Sequence, residues 1–123
     1  MSDCGFCLYG GDGDCEFNFF GNEKRVAAKD HKCEECCRLI TKGSEHFYAR
    51  GISEGDFWSQ RTCSVCEDVA TTFYCEGRFY GSLWDDMDEQ MDSLTTACLG
   101  RLRTPEAREF LRQRWMQWKG LAA

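Results

Sequence analysis

The chain has 123 residues, of which ten are cysteine and 42% are hydrophobic, and its net charge is −6. This length is typical of one domain with a modest core, and so high a cysteine content is typical of a fold that metal or disulfides stabilise. No apolar run approaches the roughly 18 residues that span a bilayer, so we expect no membrane segment, and the acidic total argues against nonspecific nucleic-acid binding.

The first residues bear on location. The start, 1–7, has neither the basic region nor the apolar region of a secretory signal. With Met1 as a natural start, this predicts a cytoplasmic protein. In a reducing cytosol, clustered cysteines are more often metal ligands than disulfides. The sequence therefore favours zinc over disulfide bonds.

The N-terminal third reads as loops and short strands. Glycines over 10–14 predict a tight loop, and the alternating apolar pattern over 16–19 predicts a short strand. The polar segment 23–32 is compatible with strand or loop.

Two Cys-x-x-Cys hooks are the most informative feature of the chain. Cys33 and Cys36 form the first hook, Cys63 and Cys66 form the second, and 26 residues lie between the two hooks. Each hook directs two thiolates towards one ion, and two hooks make a tetrahedral four-sulfur zinc site. Four protein ligands leave no position for an activated water. We therefore predict one closed, structural zinc on these four residues.

The segment between the hooks predicts a β-hairpin. Short strands are expected over 39–41, 46–50 and 57–62, with turns over 42–45 and 51–56. A helix should begin at the second hook, capped by Thr62 or Ser64, with its positive N-terminal end towards the thiolates. The segment 33–38 resembles a zinc knuckle, a short turn that carries two ligands. A knuckle, a hairpin and a helix in this order are typical of a treble clef.

Two further helices are expected at the C-terminus. Ser82 and Asp85 resemble a capping box, and Gly100 should end the first helix. Its predicted seam is Trp84, Met87, Met91, Leu94 and Cys98. The second should begin at Thr104 and Pro105 and end at Gly120. Its predicted buried face is Ala107, Phe110, Leu111, Trp115 and Trp118.

These elements define the expected architecture. The fold class is α+β, with a treble-clef-like, zinc-stabilised core followed by an antiparallel helical hairpin. The cysteine-rich region spans 1–80, and the hairpin, 81–123, packs on it within one compact domain.

A second metal site is predicted from the remaining cysteines. Its expected ligands are the third hook, Cys4 and Cys7, with Cys15 and, as the fourth, Cys75. Cys37 and His31 remain alternatives for the fourth ligand. Cys98, on the apolar seam, is expected to be a buried, inert thiol.

An acidic segment is the candidate partner surface. Its five carboxylates are Asp85, Asp86, Asp88, Glu89 and Asp92. These carboxylates could bind a basic partner or form ion pairs with basic residues of the same chain. The sequence favours ion pairs within the chain. The candidate intramolecular partners are Arg101, Arg103, Arg108, Arg112, Arg114 and Lys119.

The sequence does not favour an enzyme. Nucleases on treble clefs need a histidine on the hairpin and further ligands on the helix, and here His46 is the one hairpin candidate while the helix has no histidine. A metal-dependent nuclease is therefore a minor alternative. A nucleic-acid-binding regulator is another, because basic residues cluster around the knuckle. These are Lys24, Arg25, Lys29, Lys32, Arg38 and Lys42.

Residues 31–86 carry a resemblance to a family. Cys33-Glu-Glu-Cys36, Ile40-Thr-Lys-Gly43, Thr62-Cys63-Ser-Val-Cys66 and Tyr80-Gly-Ser-Leu-Trp84 resemble elements of small cysteine-rich proteins of tailed phages and prophages. The chain departs from their pattern at Cys37, where glycine is usual, and at the inserted Ser44.

This resemblance implies a phage accessory protein. With the small size, the closed metal site and the acidic helix, it leads us to expect a non-enzymatic protein in the host cytoplasm. Its expected activity is binding to a host protein and inhibition of a host or defence complex, with anti-CRISPR-like activity as one form. The sequence fixes no oligomeric state.

Overall fold

A computed structural model describes residues 4–9, 17–53, 55–76 and 80–120. These residues form seven strands and four α-helices, with six of the strands before the first helix, which confirms the α+β class. The strands are β1 (Leu8–Tyr9), β2 (Phe17–Val26), β3 (His31–Lys32), β4 (Leu39–Ile40), β5 (Glu45–Ser53), β6 (Asp56–Cys63) and β7 (Tyr74–Glu76). The helices are α1 (Ser64–Phe73), α2 (Leu83–Glu89), α3 (Thr96–Leu99) and α4 (Pro105–Lys119).

The central element is an antiparallel sheet in the order β2-β5-β6. Strand β5 is its middle strand and pairs Tyr48 with Glu23 on one side and with Arg61 on the other. The strands predicted over 46–50 and 57–62 therefore pair as a hairpin and are longer than the sequence pattern indicated. The strand predicted over 39–41 pairs with β3 and not with β5. The segment 23–32 was compatible with strand or loop, and here β2 runs to Val26 while β3 follows at His31.

A small hairpin precedes the sheet and carries the first hook. Strands β3 and β4 pair through His31 with Ile40 and Lys32 with Leu39. The turn between them, 33–38, is closed by backbone bonds from the Cys33 and Cys37 amides. We call residues 31–40 the knuckle hairpin.

Helix α1 follows β6 directly and buries one side against the core. Val69, Ala70 and Phe73 are each 0% exposed, as the spacing predicted. The cap differs from the expectation, because the Cys63 sulfur, rather than Thr62 or Ser64, accepts the amide of Cys66. The Cys63 sulfur therefore satisfies one of the helix N-terminal amides that have no partner within the helix.

The first predicted C-terminal helix is wrong as a continuous element. It breaks into α2, a 3-10 turn over Met91–Ser93, and α3, with Leu94 and Thr95 in extended conformations. Asp, Ser and Thr around the break favour caps and turns over helix interiors, which explains the interruption. Ser82 makes no side-chain cap bond, so the capping-box prediction is also wrong. The apolar seam is nevertheless buried at Trp84, Met87, Met91, Leu94 and Cys98.

Helix α4 follows the prediction closely. The Thr104 hydroxyl accepts the amide of Ala107, Pro105 is in the first turn, and Gly120 ends the helix with φ of 77°. Ala107, Leu111 and Trp115 are buried and Phe110 packs against the core, but Trp118 is 48% exposed. The expectation of a buried Trp118 is therefore wrong.

The buried apolar residues form a single cluster, to which the segments before and after residue 80 both contribute. It includes Phe6 and Phe73 from the cysteine-rich region and Met87, Leu111 and Trp115 from the C-terminal region. None of the helices in the described ranges is long and apolar enough to cross a bilayer.

A buried carboxylate on α1 fixes the start of α4. Asp68 accepts hydrogen bonds from the backbone amides of Arg103 and Thr104, both at 3.0 Å, and from the Thr104 hydroxyl at 3.1 Å. Asp68 is 7% exposed. Loss of this acceptor would leave partly buried donors unpaired and so lower the free energy of unfolding. The carboxylate therefore holds the start of the C-terminal helix in place.

We therefore predict that Asp68→Ala lowers the free energy of unfolding by about 2–4 kcal/mol, because it leaves three partly buried donors without their charged acceptor. Asp68→Asn, which keeps one acceptor oxygen, should have an intermediate effect. Asp85→Ala, at an exposed carboxylate, is the control and should change stability by less than about 0.5 kcal/mol. Urea unfolding measures all three, and equal midpoints for Asp68→Ala and Asp85→Ala would contradict the assignment.

Candidate metal centre

Four cysteines meet where the knuckle hairpin, β6 and α1 come together. Cys33 and Cys36 lie in the turn of the knuckle hairpin, Cys63 ends β6, and Cys66 lies in the first turn of α1. Their four sulfur atoms all lie within 4.8 Å of one another. The structure thus brings together the residues predicted for the first metal, and the cluster can hold a metal ion.

The spacing of the sulfurs fits a tetrahedral ion. A Zn–S bond of about 2.3 Å in a tetrahedron places its sulfurs about 3.8 Å apart. The sulfurs of Cys36 and Cys63 are 3.8 Å apart. Cys33 and Cys66 are 0% exposed, and Cys36 and Cys63 are partly buried. The site is consistent with zinc.

Nitrogen donors surround the sulfurs. The amide of Cys63 donates to the Cys33 sulfur at 3.3 Å, and the amide of Cys66 donates to the Cys63 sulfur at 3.5 Å. The Trp84 indole donates to the Cys66 sulfur at 3.3 Å. The Arg38 guanidinium donates to the Cys36 sulfur at 3.4 Å. Each sulfur therefore has a donor, as suits thiolates that carry excess negative charge when they bind a divalent ion.

The electrostatics of the cluster explain why it needs a cation. Hydrogen bonds from the Cys33, Cys63 and Cys66 thiols, and then Arg38, lower the pKa of Cys36 far below its ordinary value. The neighbouring Cys33, Cys36 and Cys63 sulfurs raise the pKa of Cys66. Close thiols cannot all ionise without a counter-charge. A bound metal ion supplies it.

The two glutamates inside the first hook have a role that the sequence analysis missed. Glu34 accepts the amide of Arg61 at 2.7 Å and so ties the knuckle hairpin to β6. Glu35 accepts the amide of Leu83 at 3.1 Å and the side chain of Gln60 at 2.9 Å. Since Leu83 begins α2, Glu35 links the metal hook to the C-terminal region. Their position between two cysteines was the only sequence signal.

The remaining cysteines do not form the predicted second metal site. Cys7 is bonded to Cys75, and Cys4 is bonded to Cys98. A sulfur in a disulfide offers no thiolate to a metal, so the second-site prediction on Cys4, Cys7 and Cys75 is corrected. Cys15 lies outside the described residues. Cys98 is buried as expected, but it is a cross-link rather than an inert thiol.

These disulfides also bear on the expected location. They join the N-terminal segment to β7 and α3, beside the parallel pairing of β1 with β7. Disulfides persist mainly in oxidising compartments. The premise of a reducing cytosol, from which zinc was predicted, is therefore not supported. The assignment of a metal site depends instead on the geometry of the four sulfur atoms.

Cys37 and His31, the alternatives for the fourth ligand of the second metal site, lie in no group of potential metal ligands among the described residues. Cys37 is an exposed free thiol with φ of 66°, a left-handed conformation that favours glycine. His31 lies against His46, with ring centroids 5.7 Å apart. His46 is 1% exposed, and its Nε2 is 2.7 Å from the Arg61 guanidinium. Because the guanidinium can only donate, that nitrogen is the acceptor and is not available as a base.

The acidic segment divides into paired and unpaired carboxylates. Asp86 accepts the Tyr74 hydroxyl at 2.5 Å, and Asp88 forms an ion pair of 2.9 Å with Arg114 on α4. Pairing within the chain therefore accounts for part of the cluster. The others are exposed and have no hydrogen bond or ion pair among the residues that the structure describes. They are Asp85, Glu89 and Asp92.

The chain matches no family model, and no curated protein or solved structure is significantly similar to it.

We predict that the purified protein holds one zinc per chain and that Cys66→Ala loses it. Cys37→Gly should keep the zinc and raise the free energy of unfolding by about 1 kcal/mol, because glycine relieves the left-handed backbone. Native mass spectrometry and urea unfolding measure these effects. Cys37→Ala is the control, since it removes the thiol without relieving the backbone. Loss of zinc in Cys37→Ala would make Cys37 a ligand.

We also predict that Trp84→Phe weakens zinc binding about 10- to 100-fold, because the bond from the indole to the Cys66 sulfur disappears while an aromatic ring remains. Competition with a chromophoric chelator measures the affinity. Trp115→Phe is the matched control, since Trp115 is buried on α4 and has no bond to sulfur. Equal losses in both variants would show a general packing effect.

Proposed function

We propose that the protein is a non-enzymatic binding module of the treble-clef type whose fold depends on one structural zinc. The order of the knuckle hairpin, the β5–β6 hairpin and α1 around the sulfurs supports this class. The donor set of four sulfurs supports zinc as the metal.

The saturation of the four-sulfur centre is the observation that carries the proposal. Four protein ligands fill a tetrahedral ion, and each sulfur already accepts an N–H donor. Such a centre binds no substrate and activates no water. The burial of His46 against Arg61 also speaks against the nuclease alternative. The protein then acts through its surface.

The proposed partner is a host protein with a basic surface. The resemblance of 31–86 to phage proteins supports a phage accessory role, including inhibition of a host or defence complex. The exposed, unpaired Asp85, Glu89 and Asp92 support a basic partner, because complementary charge steers association and selects partners. The paired Asp86 and Asp88 hold their own fold together and contribute less.

Affinity capture from bacterial lysate with quantitative mass spectrometry tests the proposal. We expect the wild-type protein to retain a specific partner and Glu89→Gln/Asp92→Asn to retain severalfold less of it, because rim charges control the rate of association. Removing zinc with a chelator should abolish capture, since the surface depends on the metal-bound fold.

The matched control is Asp56→Asn/Glu106→Gln, which removes the same charge at two other exposed acids. It should capture the partner as the wild type does. No partner above background, or an equal loss in both double variants, would contradict the proposal.

A further inference from the structure

Within the described part of the chain, one face of the three-stranded sheet is covered along its length and the other is covered at one end. Ala49, Gln60 and Thr62 are buried on the inner face, towards α1, and Asn22 on the same face donates to Glu67 of α1 at 2.7 Å. Side chains alternate between the two faces along each strand. The intervening residues of β2, β5 and β6 therefore share the opposite face.

We call this opposite side the outer sheet face. The strand register places its residues side by side, because Glu23, Tyr48 and Arg61 lie in one row, Arg50 faces Ser59, and Ile52 faces Phe57. The knuckle hairpin covers only the end of this face near the metal centre, where His31 packs on the buried His46. The rest is accessible: Arg50, Phe57 and Ser59 are exposed. The members are Glu23, Arg25, Tyr48, Arg50, Ile52, Phe57, Ser59 and Arg61.

Positive charge and aromatic rings alternate on the outer sheet face. The guanidinium carbons of Arg25 and Arg61 lie 4.2 and 4.7 Å from the centroid of the Tyr48 ring. The Arg50 side chain makes no ion pair within the described part of the chain. Glu23, the single acid of the face, pairs with Arg25. The face is therefore locally basic although the chain is acidic.

The exposed ring of Phe57 makes the outer sheet face suitable for stacking with a base, which a surface with positive charge alone would not be. Its side chain is 64% exposed and lies opposite the partly buried Ile52 and beside the exposed Ser59 and Arg50. Strand β6 rises about 3.3 Å per residue, so Phe57 and Arg61 are about 13 Å apart. An exposed ring next to spaced guanidinium groups matches bases that alternate with phosphates.

We propose that the outer sheet face binds single-stranded nucleic acid, with a base stacked on Phe57 and phosphates held by Arg50, Arg61 and Arg25. This site differs from the knuckle lysines that the sequence suggested, and it is independent of the proposed partner of α2. An acidic peptide would satisfy the arginines but would leave the Phe57 ring without a stacking partner. Duplex DNA would bind more weakly, because its bases are already stacked.

Fluorescence anisotropy with a labelled thymidine homopolymer of about 16 nucleotides tests the proposal. We expect binding at low salt that weakens steeply as salt rises, because phosphate contacts release counterions. Phe57→Ala should weaken binding about 5- to 150-fold, the range of one base stack. Arg50→Gln should weaken it and reduce the salt slope by about 0.7, as expected for one lost phosphate contact to a single strand.

Two matched controls keep the test specific. Trp118→Ala removes an exposed aromatic ring from α4, and Arg103→Gln removes an exposed guanidinium outside the sheet. Both should bind the oligonucleotide as the wild type does. All four positions are at the surface, so thermal unfolding should confirm that each variant remains folded.

Several outcomes would overturn the proposal. Absence of binding at low salt would do so directly. Equal losses in the test and control variants would place any binding elsewhere on the molecule. Polyglutamate that competes as well as the oligonucleotide at equal charge would show a general anion surface without base stacking. A duplex that binds as tightly as the single strand would exclude the role of Phe57.

Discussion

The mutual approach of four sulfur atoms is the constraint on which the rest of the fold depends. Their positions within 4.8 Å require the turn of the knuckle hairpin, the end of β6 and the first turn of α1 to meet at one point. Strand pairing does not by itself fix this meeting, because among the described strands β3 and β4 form a sheet separate from β2, β5 and β6. A cation among the sulfurs removes the repulsion that would otherwise push these three segments apart.

Two carboxylates extend this constraint to the C-terminal region. Glu35 lies inside the first hook and holds the start of α2, and Asp68 lies two residues after the second hook and holds the start of α4. The indole of Trp84 on α2 reaches back to the Cys66 sulfur. The metal centre and the helices are therefore coupled through short hydrogen bonds, and a disturbance at the sulfurs would reach α2 and α4 directly.

The sequence predicted those features that depend on local spacing. Hook spacing identified the four clustered sulfurs, and cap residues identified α4 almost to the residue. Apolar periodicity identified which residues of 84–98 are buried, because it shows which side chains point towards the core. It did not identify the break in the helix, because helix continuity depends on the Asp, Ser and Thr between the apolar positions. The pairing of Cys4 with Cys98 was out of reach, since 94 residues separate them and only the folded chain brings them together. The roles of Glu34 and Glu35 were hidden for the same reason.

The protein combines two disulfides with a four-sulfur cluster that can hold a metal ion, and the two have opposite chemical sensitivities. Reductants open the bonds of Cys4 and Cys7 and release the N-terminal segment, whereas oxidants would convert the four clustered thiolates to disulfides and expel a bound ion. The two bonds close long loops, with separations of 94 and 68 residues, so losing them enlarges the unfolded ensemble considerably. The complete architecture therefore persists only within a bounded redox window, and leaving that window in either direction dismantles a different half of the molecule.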